Sequence, residues 1–411
     1  MRTVIIGNSA AAVGCIEGLR ALDPEREIVV LSREKEHVYG RPLISYLLMG
    51  KTDRARMLYR PKTFYEEQRV ALRLGVSAEA IDSQRKTVTL HDGETVPYDQ
   101  LLVATGSRPF VPPIAGLDTV EQWGTFTTLE DAEKLQRRID ARSRVLIVGA
   151  GLIGLKCAEG IHARVAQVDI VDQAPQILPS ALDAAGAQRV QGYLERRGIH
   201  FHLQNSVQSF TPHEATLTNG KRIPFDVLVM AAGVRPNVEL VQAAGGKVER
   251  GIVVDACSRT SLPDVFAAGD CAQGVDCISG TSKVMALWPN AYMQGESAGA
   301  CMAGEALPND KAIPMNAMGL LGLHICTAGE MDGENDVVQD DEKGYKKLVH
   351  RDGVLTGFVM IGDVERAGIY TALIRNKTPL CEIDYELVRQ RPQLMAFSKE
   401  ERQRQLGGRE G

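Results

Sequence analysis

A glycine-rich loop, Gly149-Ala150-Gly151-Leu152-Ile153-Gly154, lies between an apolar run that ends at Val148 and a second one that begins at Leu155. Where a strand ends and a helix begins in this way, the first glycine makes the turn. The second lets the backbone approach a pyrophosphate, and the third lets helix and strand pack closely. The pyrophosphate then lies at the helix N-terminus, where free N–H groups favour an anion. The loop therefore predicts a dinucleotide site made by Gly149, Gly151, Leu152, Ile153 and Gly154.

An acidic residue stands where such a site needs one. Asp172 directly follows the next apolar run and lies 23 residues after Gly149. A carboxylate at this position binds the 2′-hydroxyl of a ribose and repels a 2′-phosphate. Because no Arg or Lys lies between Gln173 and Leu178, we expect NADH rather than NADPH.

A second loop, near the N-terminus, has a weaker form of the same pattern. It begins at Gly7, with Ser9 in place of the second glycine and Ala12 in place of the third. Small residues still permit a close approach, so the loop is either a phosphate-binding loop or an ordinary strand–helix turn. The ribose-binding acid is equally open, because Ser32 occupies its expected position and Glu34 follows two residues later.

Each loop requires a strand before it, and a helix and a second strand after it. The apolar patterns predict these elements twice: strand 3–6, helix 10–22 and strand 28–31, and then strand 145–148, helix 155–163 and strand 168–171. Near the C-terminus, two alternating runs on either side of Arg351-Asp352-Gly353 predict a hairpin. The sequence thus predicts an α/β fold with two Rossmann-like nucleotide-binding units and a C-terminal α+β module.

Two further segments resemble the signatures of a known family. They are Ala104-Thr105-Gly106-Ser107-Arg108-Pro109 and Thr260-x5-Phe266-Ala267-Ala268-Gly269-Asp270. With the two glycine loops, in this order and spacing, they resemble the pyridine nucleotide–disulfide oxidoreductases over about residues 1–380. The resemblance implies FAD on the N-terminal unit, NAD(P)H on an inserted unit, and a C-terminal module after both.

On this basis the domain boundaries are predicted as follows. The FAD-binding domain comprises residues 1–110 and 237–312 and is split by an NAD(H)-binding domain at 111–236. A C-terminal α+β interface domain follows at 313–381. Residues 382–411 are expected to be a charged, solvated and partly helical extension. If a homodimer forms, the C-terminal domain would provide its interface.

The resemblance also assigns residues to the two cofactors. Asp270 would bind the ribitol–pyrophosphate part of FAD, Ala78 would lie near the adenine, and Trp288 would face the isoalloxazine. The complete set expected at FAD is Gly7, Ser9, Ala12, Ser32, Glu34, Arg41, Pro42, Ala78, Ala104, Thr105, Gly106, Asp270, Trp288 and Pro289. At NADH, Ala232 and Gly233 would line the nicotinamide side, in addition to the residues of the second loop and Asp172.

One departure from the family pattern decides the expected chemistry. Disulfide reductases carry redox cysteines in the segment that corresponds to 39–46, and this sequence has no cysteine between Cys15 and Cys157. Arg41-Pro42-x-x-Ser45 instead resembles the rubredoxin reductases, the flavin modules of assimilatory nitrite reductases and the reductase components of oxygenases. We therefore expect an FAD-dependent NADH oxidoreductase that passes a hydride from NADH to flavin N5 and then electrons to a separate redox protein or a partner subunit. The alternatives are an NADH oxidase that reduces O2 and a flavin-binding electron-transfer subunit of a larger complex.

A second departure concerns the charge beside the flavin. Many relatives place a Lys directly after the Arg-Pro-x-x-Ser segment and pair it with a Glu two residues after the last glycine of the NAD loop. This sequence has Tyr46 and Lys156 at these positions. A cation near the flavin would stabilise its anionic reduced form. The hypothesis is that Lys156, in the environment of Tyr46, raises the flavin potential and helps to hold the nicotinamide; the alternative is a solvated Lys on a helix surface.

Composition argues against several other functions. The 411 residues include 47 Lys and Arg against 52 Asp and Glu, and the net charge of −5 provides no basic field for nucleic acid. The eight cysteines form no C-x-x-C pair, which argues against a metal or iron–sulfur centre and, in a chain this long, against a disulfide framework. No apolar run approaches the ~18 residues of a membrane span. We therefore expect a cytoplasmic protein.

Overall fold

Helices separate the strands in residues 2–74, and the apolar runs of the first two strands are buried on both faces. In the computed structural model, which describes residues 1–398 and 402, Ile5 and Val30 are both fully buried. The elements of the first quarter of the chain are β1 (Arg2–Ile6), α1 (Ala10–Leu22), β2 (Glu27–Ser32), α2 (Ile44–Leu48), α3 (Phe64–Glu67), β3 (Val70–Leu74), β4 (Ala78–Asp82), β5 (Thr87–Leu90), β6 (Thr95–Pro97), β7 (Gln100–Val103) and β8 (Ser107–Pro109).

The next part of the chain builds a second parallel sheet. Its elements are β9 (Trp123–Thr125), α4 (Leu129–Arg138), β10 (Arg144–Val148), α5 (Leu152–Ile161), β11 (Gln167–Val171), α6 (Ala184–Glu195), β12 (Ile199–His202), β13 (Val207–Thr211), β14 (Glu214–Leu217), β15 (Arg222–Pro224), β16 (Val227–Met230) and β17 (Val234–Pro236). The strand order is β12-β11-β10-β16-β9, and the pairs are parallel. Strands β8 and β17 pair antiparallel where the chain leaves the first sheet and returns to it.

After residue 236 the chain completes the first sheet. The elements are α7 (Glu239–Ala243), β18 (Ile252–Val253), β19 (Val265–Ala267), β20 (Ala272–Val275), β21 (Ser282–Val284) and α8 (Trp288–Met302). Strand β19 pairs parallel with β7, which gives the order β19-β7-β1-β2-β3. The first sheet is therefore built from chain segments that precede the second sheet in the sequence and from one that follows it.

The C-terminal part is antiparallel. Its elements are β22 (Met315–Leu320), β23 (Leu323–Gly329), β24 (Glu334–Asp341), β25 (Gly344–Arg351), β26 (Val354–Ile361), α9 (Ala367–Asn376) and α10 (Tyr385–Gln390). The predicted hairpin is present as β25 and β26, in a sheet of order β22-β23-β26-β25-β24. The predicted fold class, two Rossmann-like units with a C-terminal α+β module, is confirmed.

Helices α1 and α8 pack backbone against backbone. A Cβ on Gly295 would lie 2.0 Å from the carbonyl O of Ala11, and one on Gly299 would lie 2.4 Å from that of Cys15. Only glycine lets two helices come this close. This contact fixes the second half of α8 against the first turns of α1.

The segment after residue 381 differs from the expected solvated extension as far as it is described. Val388 is fully buried, Phe397 is almost so, and the hydroxyl of Tyr370 donates to the carbonyl of Val388 at 2.7 Å. This segment therefore packs on α9, and the remainder of the expected extension, 399–401 and 403–411, lies outside the described residues. Within the described part of the chain, no helix is both long and apolar enough to cross a membrane.

Candidate active site

The first glycine loop lies at the carboxyl ends of β1 and β7. Gly7 has a left-handed φ of +115°, and a Cβ there would lie 2.0 Å from the carbonyl O of Ala104. Only glycine permits this contact. Helix α1 begins after Ser9, whose side chain makes no capping hydrogen bond, and Ala12 is fully buried beneath the loop. The first N–H groups of α1 are thus not capped by Ser9 and are suited to an anion.

The second loop has the same construction at the ends of β10 and β16. Gly149 has φ +121°, and a Cβ there would lie 2.2 Å from the carbonyl O of Ala231. A Cβ on Gly154 would lie 2.0 Å from the carbonyl O of Gly149, whereas one on Gly151 would meet nothing within 4 Å. The first and third glycines are therefore required by the protein's own packing. The second leaves open space at the N-terminus of α5, where a pyrophosphate fits; Leu152 and Ile153 form the first turn.

Asp172 is bound to the second loop. Its Oδ2 accepts from the backbone N–H of Ala150 at 2.6 Å, and its Oδ1 accepts from that of Ala174 at 2.7 Å. The carboxylate therefore lies directly at the glycine loop. The residue that is predicted to select the cofactor also holds the loop in place.

Asp270 lies beyond the end of β19, close to the first loop. The hydroxyl of Ser107 donates to its Oδ2 at 2.9 Å. Burial raises the pKa of the Asp270 carboxyl, and the Ser107 hydroxyl and the Arg41 guanidinium oppose this rise. A carboxylate can accept more hydrogen bonds than the one that Ser107 donates. Asp270 can therefore also accept from a hydroxyl group of a ligand, such as the ribitol of FAD. Sequence reasoning missed Ser107, although it lies inside the quoted segment 104–109.

Thr105 and Gly106 join the two halves of the first unit. The Thr105 hydroxyl donates to the carbonyl of Asn237 at 2.8 Å, and the Asn237 amide donates to the carbonyl of Thr105 at 2.8 Å. The backbone N–H of Asn237 donates to the carbonyl of Gly106 at 2.9 Å. These bonds hold the loop after β7 where the chain returns from the second sheet.

Of the two candidate positions for the ribose-binding acid, only Glu34 carries a carboxylate. Ser32 is buried, and its hydroxyl donates to the backbone carbonyl of Glu34 at 3.0 Å. The Glu34 carboxylate accepts from Arg41 at 2.6 Å and from the Tyr39 hydroxyl at 2.8 Å. Pro42 follows Arg41 in a short 3₁₀ turn. Glu34 and Arg41 therefore form one connected group, in which Tyr39 is a member that sequence reasoning missed.

The side chain of Asn8 also indicates that the first glycine loop is suited to a bound cofactor. The Tyr65 hydroxyl donates to its Oδ1, while its Nδ2 is buried without a partner among the described residues. A buried amide N–H without an acceptor is costly. It lies directly after Gly7, so a polar group bound on this loop would satisfy it.

The other predicted FAD residues occupy two different elements. Trp288 and Pro289 form the first turn of α8, and the Trp288 ring meets the Tyr59 ring edge to face at 5.0 Å. Ala78 begins β4 in a separate three-stranded sheet. On the NADH side, Ala232 and Gly233 follow β16, and a Cβ on Gly233 would meet nothing within 4 Å.

Tyr46 and Lys156 come into direct contact. The ammonium of Lys156 lies 4.5 Å from the centre of the Tyr46 ring, which is a cation–π contact. Helix α2 reaches α5 because Gly160 has no side chain: a Cβ there would lie 3.2 Å from the side chain of Leu48. Tyr46 of the first nucleotide-binding unit and Lys156 of the second therefore meet at the boundary between the two units.

Lys156 is neither solvated nor unpaired. It is 15% exposed and forms an ion pair with Glu159, which is 4% exposed and lies one turn further along α5. Its ammonium also donates to the carbonyl of Gly319 at 3.2 Å, while Glu159 accepts from the backbone N–H of Leu321 at 3.0 Å. The alternative of a solvated surface lysine is wrong, and the cation has a carboxylate partner that sequence reasoning missed.

Comparison with known proteins identifies the class. Residues 1–295 match the pyridine nucleotide-disulphide oxidoreductase family, and residues 314–378 match the rubredoxin NAD+ reductase C-terminal domain. The chain belongs to the pyridine nucleotide-disulphide oxidoreductase family, as the four motifs indicate. It is an NAD(P)H-dependent oxidoreductase, with FAD and NAD(P)H as its cofactors.

Particular relatives cover most of the chain. The subunit epsilon of the NADH-dependent phenylglyoxylate dehydrogenase of Aromatoleum evansii is 32% identical over 92% of this chain and 92% of that protein. The NADH oxidase of Methanocaldococcus jannaschii is 34% identical over 74% of this chain and 70% of that protein. The crystal structure of a covalent putidaredoxin reductase–putidaredoxin complex is similar with a TM-score of 0.88 and 25% identity, over 95% of this chain and 96% of the matched one. The chain spans about half the length of nitrate and nitrite reductase relatives that it also matches.

Proposed function

We propose that this protein takes electrons from NADH through FAD and delivers them to a separate redox protein or to a partner subunit. The observation that carries the proposal is the segment Tyr39–Tyr46, which holds Arg41 against Glu34 and contains no cysteine. A flavin without a neighbouring redox cysteine has to deliver its electrons to an external acceptor.

The residues of the chain bind and orient the two cofactors, while FAD supplies hydride acceptance and the division of an electron pair into single electrons. The N-terminus of α1, after Gly7 and Ser9, would hold the FAD pyrophosphate, and Asp270 would accept a hydrogen bond from the ribitol. The N-terminus of α5, beside Gly151, would hold the NADH pyrophosphate. Asp172 would bind the ribose.

The relatives support delivery to another protein. One is by name a subunit of an NADH-dependent dehydrogenase, and one solved structure is a complex of a reductase with putidaredoxin. A chain that serves such a larger assembly needs the NADH and FAD sites but no substrate pocket of its own.

The second candidate is an NADH oxidase that reduces O2. The oxidase relative from Methanocaldococcus jannaschii favours it. The segment around Arg41 argues against an oxidase, because it contains no cysteine that could react with a peroxide.

Two finer points belong to the same proposal. We place the protein in the cytoplasm, which the eight free cysteines support. A homodimer through the C-terminal domain is supported by β24, an edge strand with Val337 54% exposed. Light scattering of the purified holoprotein tests this: the mass of two chains supports the dimer, and the mass of one chain contradicts it.

The test of the proposed function is NADH oxidation with a panel of acceptors: a rubredoxin, a ferredoxin, a dye and O2. Turnover with a protein acceptor should exceed turnover with O2, and the reverse result would favour the oxidase. A Gly151→Ala variant should raise KM for NADH about tenfold or more, because loss of charge-assisted contacts to the pyrophosphate costs ~1.5–3 kcal/mol. The matched control is Gly368→Ala. A Cβ at this position also meets nothing within 4 Å, but Gly368 lies on α9, in the C-terminal part of the chain.

A further inference from the structure

Two cysteines lie together far from the glycine loops. Cys301 is in the last turn of α8 and is 6% exposed, and Cys257 is in the loop between β18 and β19. Helix α8 rises ~1.5 Å per residue, so Cys301 lies roughly 20 Å from Trp288 at the other end. Both cysteines have free thiols. Neither has a part in the proposed electron transfer.

Hydrogen bonds on both sides of Cys257 hold its loop against α8. The hydroxyl of Ser258 donates to the carbonyl of Gln294 at 3.2 Å, and the hydroxyl of Ser297 donates to the carbonyl of Ala256 at 3.4 Å. Both helix residues lie on the face of α8 that continues one turn later to position 301. Cys257 is therefore held opposite the last turn of the helix.

The two thiols share one apolar cluster. Cys301 is buried in it, and Cys257 packs against it. Burial and, to a smaller extent, a hydrogen bond with the Cys301 thiol raise the pKa of Cys257 to about 11. The Cys257 thiol therefore stays protonated near neutral pH.

A cavity of about 460 Å³ reaches Cys301. It is lined by Gln100, by the loop from Arg259 to Phe266, and by Cys301. Its volume is large enough for hydrogen peroxide or a small organic hydroperoxide. Arg259 contributes a positive charge two residues after Cys257 and opposes the rise of the Cys257 pKa.

We propose that Cys257 and Cys301 are an oxidant-responsive pair, which a hydroperoxide converts into an intramolecular disulfide that links the 255–262 loop to the end of α8. The Cys301 sulfur, at the cavity, attacks the peroxide: an S–O bond forms, the O–O bond breaks, and one water or alcohol leaves. The Cys257 sulfur then attacks the sulfenic sulfur: the S–S bond forms, the S–O bond breaks, and water leaves with the second thiol proton. The two sulfurs together lose two electrons, and the peroxide gains them.

The test uses the FAD-loaded wild-type protein with a small excess of hydrogen peroxide, followed by alkylation under non-reducing conditions and peptide mass mapping. The expected result is one linked peptide pair that contains Cys257 and Cys301, with the loss of two alkylatable thiols per chain and reversal by dithiothreitol. The oxidised protein should also unfold at a higher temperature than the reduced one, since a cross-link restricts the unfolded chain.

Two variants complete the design. Cys381, which is exposed, serves as the matched control: Cys381→Ser should leave the linked pair and the shift in unfolding temperature unchanged. Cys301→Ser should abolish both. Peroxide treatment that oxidises Cys381 while Cys257 and Cys301 remain alkylatable overturns the proposal, and so does a linkage of either one to another cysteine.

Discussion

Substitution of Lys156 by Met would leave Glu159 without its cation in the interior of the protein. The pair is nearly inaccessible, since Lys156 is 15% and Glu159 4% exposed. Removal of one partner of a buried ion pair costs about 3–5 kcal/mol. Because the N–H of Leu321 still donates to the carboxylate at 3.0 Å, we expect a loss in the free energy of unfolding near the lower end of this range. Met keeps most of the apolar length of the Lys156 side chain.

The assay is a double-mutant cycle of wild type, Lys156→Met, Glu159→Gln and the double variant, measured by denaturant unfolding. The double variant should recover most of the stability that Lys156→Met loses, because a neutral amide at position 159 can still accept from the Leu321 N–H. If Lys156→Met unfolds within about 1 kcal/mol of wild type, or if the double variant is no more stable than Lys156→Met, the buried pair does not have this role.

The same variants test the hypothesis that Lys156 sets the flavin potential. Lys156→Met removes a positive charge from the pair, and Glu159→Gln removes a negative one. If the pair lies beside the flavin, the first change should lower the flavin potential and slow reduction by NADH, and the second should raise the potential. FAD content should stay near normal in both. Shifts of the same sign, or none, would show that Lys156 is only a structural residue.

Three further results are expected. Asp270→Ala should weaken FAD binding by about 1–3 kcal/mol, measured by titration of the FAD-free protein, because a ribitol hydroxyl would lose its acceptor; Asp270→Asn should retain more affinity, and equal affinities would contradict the assignment. Asp172→Ala should narrow the preference for NADH over NADPH, mostly through KM, and a wild-type protein that uses NADPH as well as NADH would show that Asp172 does not select the cofactor. Arg144 lowers the pKa of Asp226 to about 2, so the stability from this pair is present above pH ~4, the ordinary range of an Asp, and is lost as pH falls through about 2. Both side chains are near 40% exposed, so Asp226→Asn should cost less than about 1 kcal/mol at neutral pH and should cost less still at pH 2, where the carboxyl is partly protonated; a loss that is the same at both pH values would contradict this.

The parts of the site that follow from local spacing were predictable from the sequence. The contact of Gly154 with the carbonyl O of Gly149 is the one expected of the third glycine of such a loop, because both residues lie within a single strand–loop–helix unit. The position of Asp172 at the end of the next strand follows in the same way. The contact of Gly149 with Ala231 depends instead on the pairing of β10 with β16.

Other parts depend on contacts between residues that are far apart in the chain. Ser107 meets Asp270 only because β19 pairs with β7 after the insertion of a whole second sheet. The partners of the Lys156–Glu159 pair in the C-terminal domain lie more than 150 residues away along the chain. Glu159 itself was within reach of sequence reasoning, since it lies three residues after Lys156 on a predicted helix.

The burial of the segment after residue 381 was not predictable from the sequence, for a different reason. Its many charges favour a solvated extension, yet a few apolar residues, such as Val388 and Phe397, are enough to bury it against α9. A charge count describes the exposed face of such a segment and does not show whether a neighbouring helix leaves an apolar face uncovered. Only the packing of Tyr370 against this segment supplies that information.

The most direct test of the proposed function is anaerobic stopped-flow mixing of the FAD-loaded protein with an equimolar amount of NADH, followed by a second mixing with an acceptor protein. We predict rapid bleaching of the flavin absorbance by NADH, slower bleaching by NADPH, and recovery of the absorbance faster with a rubredoxin- or ferredoxin-type protein than with air-saturated buffer. A protein whose flavin NADH does not bleach, or whose flavin is reoxidised faster by O2 than by every protein acceptor, would contradict the proposed electron transfer.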